Sequence, residues 1–183
     1  MNKKTSYIRY IVNKPKIDSV VINNAQKNKQ VIYGSVAMNK QLSPIVTKKS
    51  GDFDVYSKTP RKSADTSQKQ MDKVVGADDF YHKMAIHSGT WKVLHEGPDG
   101  KKRTEDDVGI VDYTKIPRQI KTVSIQGTSY ERLDSIAKGK RKTLRDKKSR
   151  YRHEKDKDAL TRIGLSNIIN VNGWKPTTNR RKR

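Results

Sequence analysis

Two aspartates, Asp52 and Asp54, stand one residue apart in the short run Gly51-Asp-Phe-Asp-Val-Tyr-Ser57. In an extended strand the side chains alternate, so both carboxylates project from one face while Phe53 and Val55 take the other. Like charges at that spacing repel unless a cation lies between them. Mg²⁺ meets the need, being a hard ion that takes oxygen ligands and links carboxylates to substrate phosphates. Alone, Asp-x-Asp is weak, and its plain alternative is a pair of exposed acids on an edge strand. The surrounding residues say more. Val31-Ile32-Tyr33 reads as a buried strand that runs into Gly34-Ser35, with a helix able to begin at Val36-Ala37-Met38. Unpaired amides at such a helix start receive phosphate, and the Ser35 hydroxyl adds a donor. A third aspartate, Asp112, interrupts the apolar run Val108–Tyr113. Three converging carboxylates suit a pair of Mg²⁺ ions, which would activate an attacking hydroxyl, bridge a triphosphate and steady departing pyrophosphate. Asp107 competes for the third place, but it begins the strand beside Asp106, whereas Asp112 sits in mid-strand.

These residues need a scaffold, and the chain supplies alternating patterns for one. Tyr7–Val12 is expected as a short strand in a basic context. Ile17, Val20, Val21 and Ala25 follow helical spacing to about Asn28. Thr59-Pro60 ends the acidic strand, and Arg61–Val75 is predicted helical, stopping at Gly76. Phe80–Ile86 and Thr90–His95 read as a hairpin joined by His87-Ser88-Gly89. Glu96–Asp106 is a turn-rich excursion. After Pro117, Thr122–Ile125 is β-like, and helical spacing is expected from Ser129 through Tyr130, Leu133, Ile136 and Ala137. The chain thus combines strands and helices. Its expected divisions are a basic arm at 1–16, a core at 17–128, a basic helical segment at 129–173 and a basic tail at 174–183.

Charge narrows the partners. The 183 residues carry a formal charge of +22, which favours polyanions and nucleic acid above all. Without cysteine there is neither a disulfide framework nor a thiolate zinc site, and His82, His87, His95 and His153 lack paired ligand spacing. No apolar run is long enough to span a bilayer, so no membrane partner is expected. The segment Lys138–Lys157 holds 11 basic residues against three acids. Such runs are usually solvated faces. Here Lys140, Arg141, Lys142, Arg145, Lys147, Lys148 and Arg150 are candidates for a nucleic-acid track beside the carboxylates, and Arg152, Lys155 and Lys157 could instead clamp a triphosphate. Tyr151 and Trp174 are the aromatics in basic surroundings, while Trp91 and Phe80 are expected in the core.

The combination of Tyr33-Gly34-Ser35-Val36-Ala37-Met38-Asn39, Gly51-Asp52-Phe53-Asp54-Val55-Tyr56-Ser57 and Asp112 resembles the nucleotidyltransferase superfamily of DNA polymerase β. In motif it looks most like the small nucleotidyltransferase-like proteins of large DNA viruses and phages. Arg152-His153-Glu154-Lys155-Asp156 resembles the basic Lys-Asp motif in the C-terminal helices of that group and of toxin-type members. The resemblance implies an α+β fold, a mixed sheet flanked by helices, in which Asp52, Asp54 and Asp112 hold one or two Mg²⁺ ions, with Asp112 activating the acceptor, and Gly34, Ser35, Arg152 and Lys155 bind the NTP. It implies a cytoplasmic setting, that of an infected host cell, or packaging in a virion, with a virion or other protein partner ordering the basic termini. The segment between Ser35 and Asp52 departs from the minimal pattern by its length and carries Lys48 and Lys49; Lys155-Asp156-Lys157-Asp158 also places its second acid unusually. Two readings follow. One is transfer of a nucleoside monophosphate from an NTP to a hydroxyl on nucleic acid such as tRNA, whether as a housekeeping or a toxin activity. The other is an inactive relative that binds nucleic acid or serves in a virion.

Overall fold

The computed structural model describes residues 3–86, 88–117 and 119–171. Expectations for His87, Trp174 and the 174–183 tail lie outside the described residues. Seven strands form one sheet in the order β3-β4-β5-β2-β1-β7-β6. They are β1 (Val31–Tyr33), β2 (Phe53–Ser57), β3 (Phe80–Met84), β4 (Thr90–His95), β5 (Val108–Lys115), β6 (Thr122–Ile125) and β7 (Thr128–Glu131). β2 runs parallel to β5 and β1 parallel to β7, while the other neighbours are antiparallel. The sheet is therefore mixed and the fold α+β, as the resemblance implies.

Helices α1 (Lys3–Lys27) and α3 (Pro60–Val75) pack against each other, and α3 covers β2 to β5. Helix α2 (Gly34–Asn39) follows β1 and touches α4 (Leu133–Arg145), which pairs with α5 (His153–Val171). Core residues Ile17, Val21, Ile32, Val55, Met71, Phe80, Val93, Val111 and Tyr113 are fully buried between these layers.

Two expectations are corrected. Residues 7–12 are helical rather than a strand, because their buried positions continue the later helical face. Ser6, Tyr10, Ile17, Val21 and Ala25 are all buried, a spacing of four or seven that only a helix brings to one side. Pro15 lies within α1 on its exposed side, so the carbonyl it deprives of an amide can be hydrated. Residues 128–131 form β7 rather than the start of a helix, which begins at Leu133. Gln126 and Gly127 both adopt positive φ, 51° and 79°. That pair makes the tight turn whose twist joins antiparallel strands, so β6 and β7 zip together.

The pleat of β5 is fixed from its buried side. Tyr113, 0 % exposed, shares a 2.6 Å hydrogen bond with Ser67 of α3, and Asn24 of α1 donates to the same serine at 3.0 Å. Because Tyr113 points at α3, its neighbour Asp112 must point to the opposite face. β2 obeys the same rule. Phe53, Val55 and Ser57 are buried, with Ser57 bonded to Gln30 at 3.1 Å, leaving Asp54 and Tyr56 on the face away from them.

A carboxylate cluster between two clefts

Asp54 and Asp112 are direct neighbours in the parallel register of β2 and β5. Asp52 lies just before β2 and is exposed, yet it is close enough that its charge, with that of Asp112, acts on Asp54. Burial first, then Asp52 and Asp112, raise the Asp54 pKa from 3.8 to about 6, against the opposing charges of Lys155 and Arg152. The Asp112 pKa is also raised, chiefly by burial, although Lys92 works to lower it. The three acids expected together are thus in mutual electrostatic reach, and the two basic residues expected beside them face the same carboxylate.

Gly34 closes the other side. Its φ is 68°, and a Cβ there would overlap Asp54 Oδ2 and lie 3.0 Å from Asp54 Cγ. Only glycine satisfies both the left-handed backbone and the carboxylate pressed against it. The helix that follows is six residues long, so its dipole is small and side chains must supply most of the positive potential. They do so in a cleft of about 410 Å³ lined by Ser35, Lys48, Lys49, Asp52, Lys155 and Arg162. Lys48 and Arg162 both contact Asp158, at 2.6 and 3.0 Å, which ties the lysine-bearing segment after α2 to α5.

On the other side of Asp54, a cleft of about 350 Å³ is lined by Asp54, Asp112, Tyr33, Tyr56, Thr114 and Arg152 among others. Tyr33 and Tyr56 stack with 3.8 Å between ring centroids, and Tyr33 Oη shares a 3.0 Å hydrogen bond with Thr114. Burial pushes both phenols up, Tyr56 to about 12, so they remain neutral.

Several features of this site could not be read before the strands were paired. Lys92 is the register partner of Asp112 in β4, and its Nζ lies 2.9 Å from Asp112 Oδ2. Among the described residues no three His, Asp or Glu side chains stand close enough to hold a metal ion as placed. The donors on offer are nonetheless all carboxylate oxygens, the kind Mg²⁺ prefers. Lys140, expected on a nucleic-acid track, is turned inward and bonds Asp156 at 2.8 Å, with side-chain exposures of 13 % and 1 %. Arg141, Lys142, Arg145, Lys147, Lys148 and Arg150 are all exposed.

The competing acid is elsewhere. Asp107 accepts from the Tyr81 hydroxyl, and five residues at about 3.3 Å each put it about 16 Å along the strand from Asp112. His95 is buried between Tyr10 and Phe80, His82 bonds Gln68 and His153 bonds the α4 C-terminus. Each has a structural partner. Phe80 is in the core as expected, while Trp91 is only partly buried, with the Arg61 guanidinium 5.3 Å from its ring centroid.

No family model and no curated protein matches the chain. Among solved structures it is similar to the Megavirus polyadenylate synthase, with TM-score 0.63 and 19 % identity over 86 % of this chain and 32 % of that one. It is also similar, more distantly, to JHP933 from Helicobacter pylori, with TM-score 0.46 and 12 % identity over 70 % of this chain and 55 % of that one. The chain spans about a third of the length of the polyadenylate synthase. The fold is nucleotidyltransferase-like, with a structural neighbour of viral origin.

Proposed function

We propose that this chain transfers a nucleoside monophosphate from an NTP to a hydroxyl on nucleic acid, tRNA being one such acceptor. The observation that carries the reading is the side-by-side register of Asp54 and Asp112, with Gly34 pressed against the first of them. The likeness to a viral polyadenylate synthase supports it at the level of the fold. Asp52, Asp54 and Asp112 would hold Mg²⁺, which when bound supplies charge neutralisation at the phosphates and eases deprotonation of the acceptor. Burial first, then the charges of Asp52 and Asp112, raise Asp54 to about 6, and a cation among these carboxylates would relieve the part due to repulsion.

The chain's own groups divide the remaining work. Ser35, Lys48, Lys49, Lys155 and Arg162 line a basic cleft suited to a triphosphate. Arg152 borders the cleft that contains Asp54 and Asp112. Asp112 accepts the acceptor's proton, a role its raised pKa assists. The acceptor oxygen then bonds to the α-phosphorus, the bond to the β-phosphate oxygen breaks, and pyrophosphate departs with that electron pair.

A second reading is favoured by one observation. Lys92 already neutralises Asp112, as it would in an inactive relative that binds nucleic acid or serves in a virion. One experiment separates them: purified protein, each labelled NTP in turn, Mg²⁺ and total tRNA, with Asp52→Ala/Asp54→Ala as control. Label transferred by the wild type alone supports the transferase. Label that persists in the double variant, or is absent with every NTP, rejects it.

A further inference from the structure

The carboxylate cleft does not end at Tyr56. The same tyrosine borders a second cleft of about 340 Å³ with Ser57, Lys58, Thr59 and Lys62. Thr59 and Lys62 in turn border a third, of about 700 Å³, shared with Arg61, His82, Trp91 and Lys115. Thr90 and Thr114 line the first cleft, and their chain neighbours Trp91 and Lys115 line the third. The three clefts therefore follow one another around the ends of β2, β4 and β5, from the carboxylates to the α3 side of the sheet.

Its chemistry is basic and aromatic. Lys58, Arg61, Lys62 and Lys115 are all exposed, and none is ion-paired with a described carboxylate. Asp65, the acid in the third cleft, is already held by Lys69 at 2.9 Å. Trp91 packs on the core and meets the cleft, with Arg61 lying over the ring where a nucleobase would stack. Cations tracking a backbone beside an aromatic platform are the recognition mode of single-stranded nucleic acid, since a paired base has no free face to stack.

We propose that single-stranded nucleic acid lies along Lys58, Arg61, Lys62 and Lys115 with one base on Trp91, and enters the carboxylate cleft past Tyr56. This path differs from the exposed basic run of α4 and the segment after it, from Arg141 to Arg150, none of whose basic residues lines these three clefts. The inference rests on the nucleic-acid acceptor of the proposed reaction, but binding alone reads it.

Trp91 is the reporter once Trp174→Phe removes the chain's second tryptophan. A single-stranded oligoadenylate and a blunt duplex of equal length are titrated without NTP or Mg²⁺. Tryptophan emission and the anisotropy of a labelled strand are followed together. The single strand should quench Trp91 in step with anisotropy, and the duplex should not. Arg61→Glu/Lys62→Glu should weaken the single strand about ten-fold or more and reduce the salt slope of log K by about 1.4, two lost contacts at about 0.7 each. Acidic residues suit the first turn of a helix, so this variant should keep its melting temperature. Anisotropy that rises with unchanged Trp91 emission would overturn the proposal. So would equal quenching by the duplex, absence of binding, or a loss confined to Arg141→Glu/Lys142→Glu. Binding at Trp91 without label transfer would reject the transferase and leave this site standing; transfer to a small diol without strand binding would do the reverse.

Discussion

Replacing Asp54 by asparagine should stabilise the protein while abolishing transfer. Burial and the charges of Asp52 and Asp112 lift the Asp54 pKa from 3.8 to about 6, a gap of about two pH units worth about 3 kcal/mol at 1.36 each. An acid with a raised folded-state pKa binds its proton more tightly in the folded chain than in the unfolded one. Its ionisation therefore costs stability as pH rises from about 4 to about 6, and the full cost is present above that window. For a chain of this size each kcal/mol moves Tm by about 2–4 °C, so Asp54→Asn should melt about 6–12 °C higher at pH 8 in EDTA. That is an upper value, since the amide needs hydrogen-bond partners of its own. The assay is a series of thermal melts of both proteins from pH 8 down to pH 4. The gap should be widest at pH 8 and close as pH falls through 6 towards 4. Mg²⁺ should then stabilise the wild type and not the variant, because a ligand bound only by the folded state raises Tm by mass action. A variant no more stable at pH 8, or a gap that does not change with pH, would refute the account of a carboxylate strained by burial and like charge.

Two further substitutions test the surroundings. Gly34→Ala forces both a left-handed residue and an overlap with Asp54, whereas Gly76→Ala meets the φ of 70° with nothing within 4 Å. The second should cost about 1 kcal/mol and leave transfer intact; the first should cost more in chemical denaturation and eliminate transfer. Lys140→Met leaves Asp156, 1 % exposed, without its ion-pair partner, and should cost about 3–5 kcal/mol by the same measurement. Lys140→Met/Asp156→Leu should recover most of the loss, as buried charges removed together usually do.

The sequence showed the carboxylates better than their setting. Asp52, Asp54 and Gly34-Ser35 were legible because strand alternation and a glycine turn are local properties. Asp112 was legible because an acid within an apolar run must have a reason to be there. Lys92 was not, since what distinguishes it is pairing with Asp112 across β4 and β5, and register is settled by the whole sheet. Lys140 and Arg141 look alike in a basic run, yet helical phase turns the first towards Asp156 and the second to solvent. Tyr7–Val12 misled for a related reason. Its β-branched residues favour a strand locally, but Ile8, Ile11 and Val12 are exposed while Tyr10 is buried and Tyr7 packs against the core, so tertiary packing overrode propensity.

Helix α1 has a consequence for how the protein is made. At about 1.5 Å per residue its 25 residues reach about 37 Å. One end holds Ser6 against His95 at 3.3 Å and Arg9 against Asp79 at 2.8 Å. The other holds Gln26 against Thr128 at 2.8 Å. Helix α1 is thus a strut made well before the residues that anchor it, Asp79, His95 and Thr128 lying 70, 89 and 102 residues beyond their partners. Until residue 128 emerges, Ile17, Val21 and Ala25 cannot complete their burial, and the growing chain must carry that apolar stripe uncovered. Long sequence separation between contacts slows folding, so the interval when this helix is exposed to proteases and to other nascent chains is written into the order of its elements.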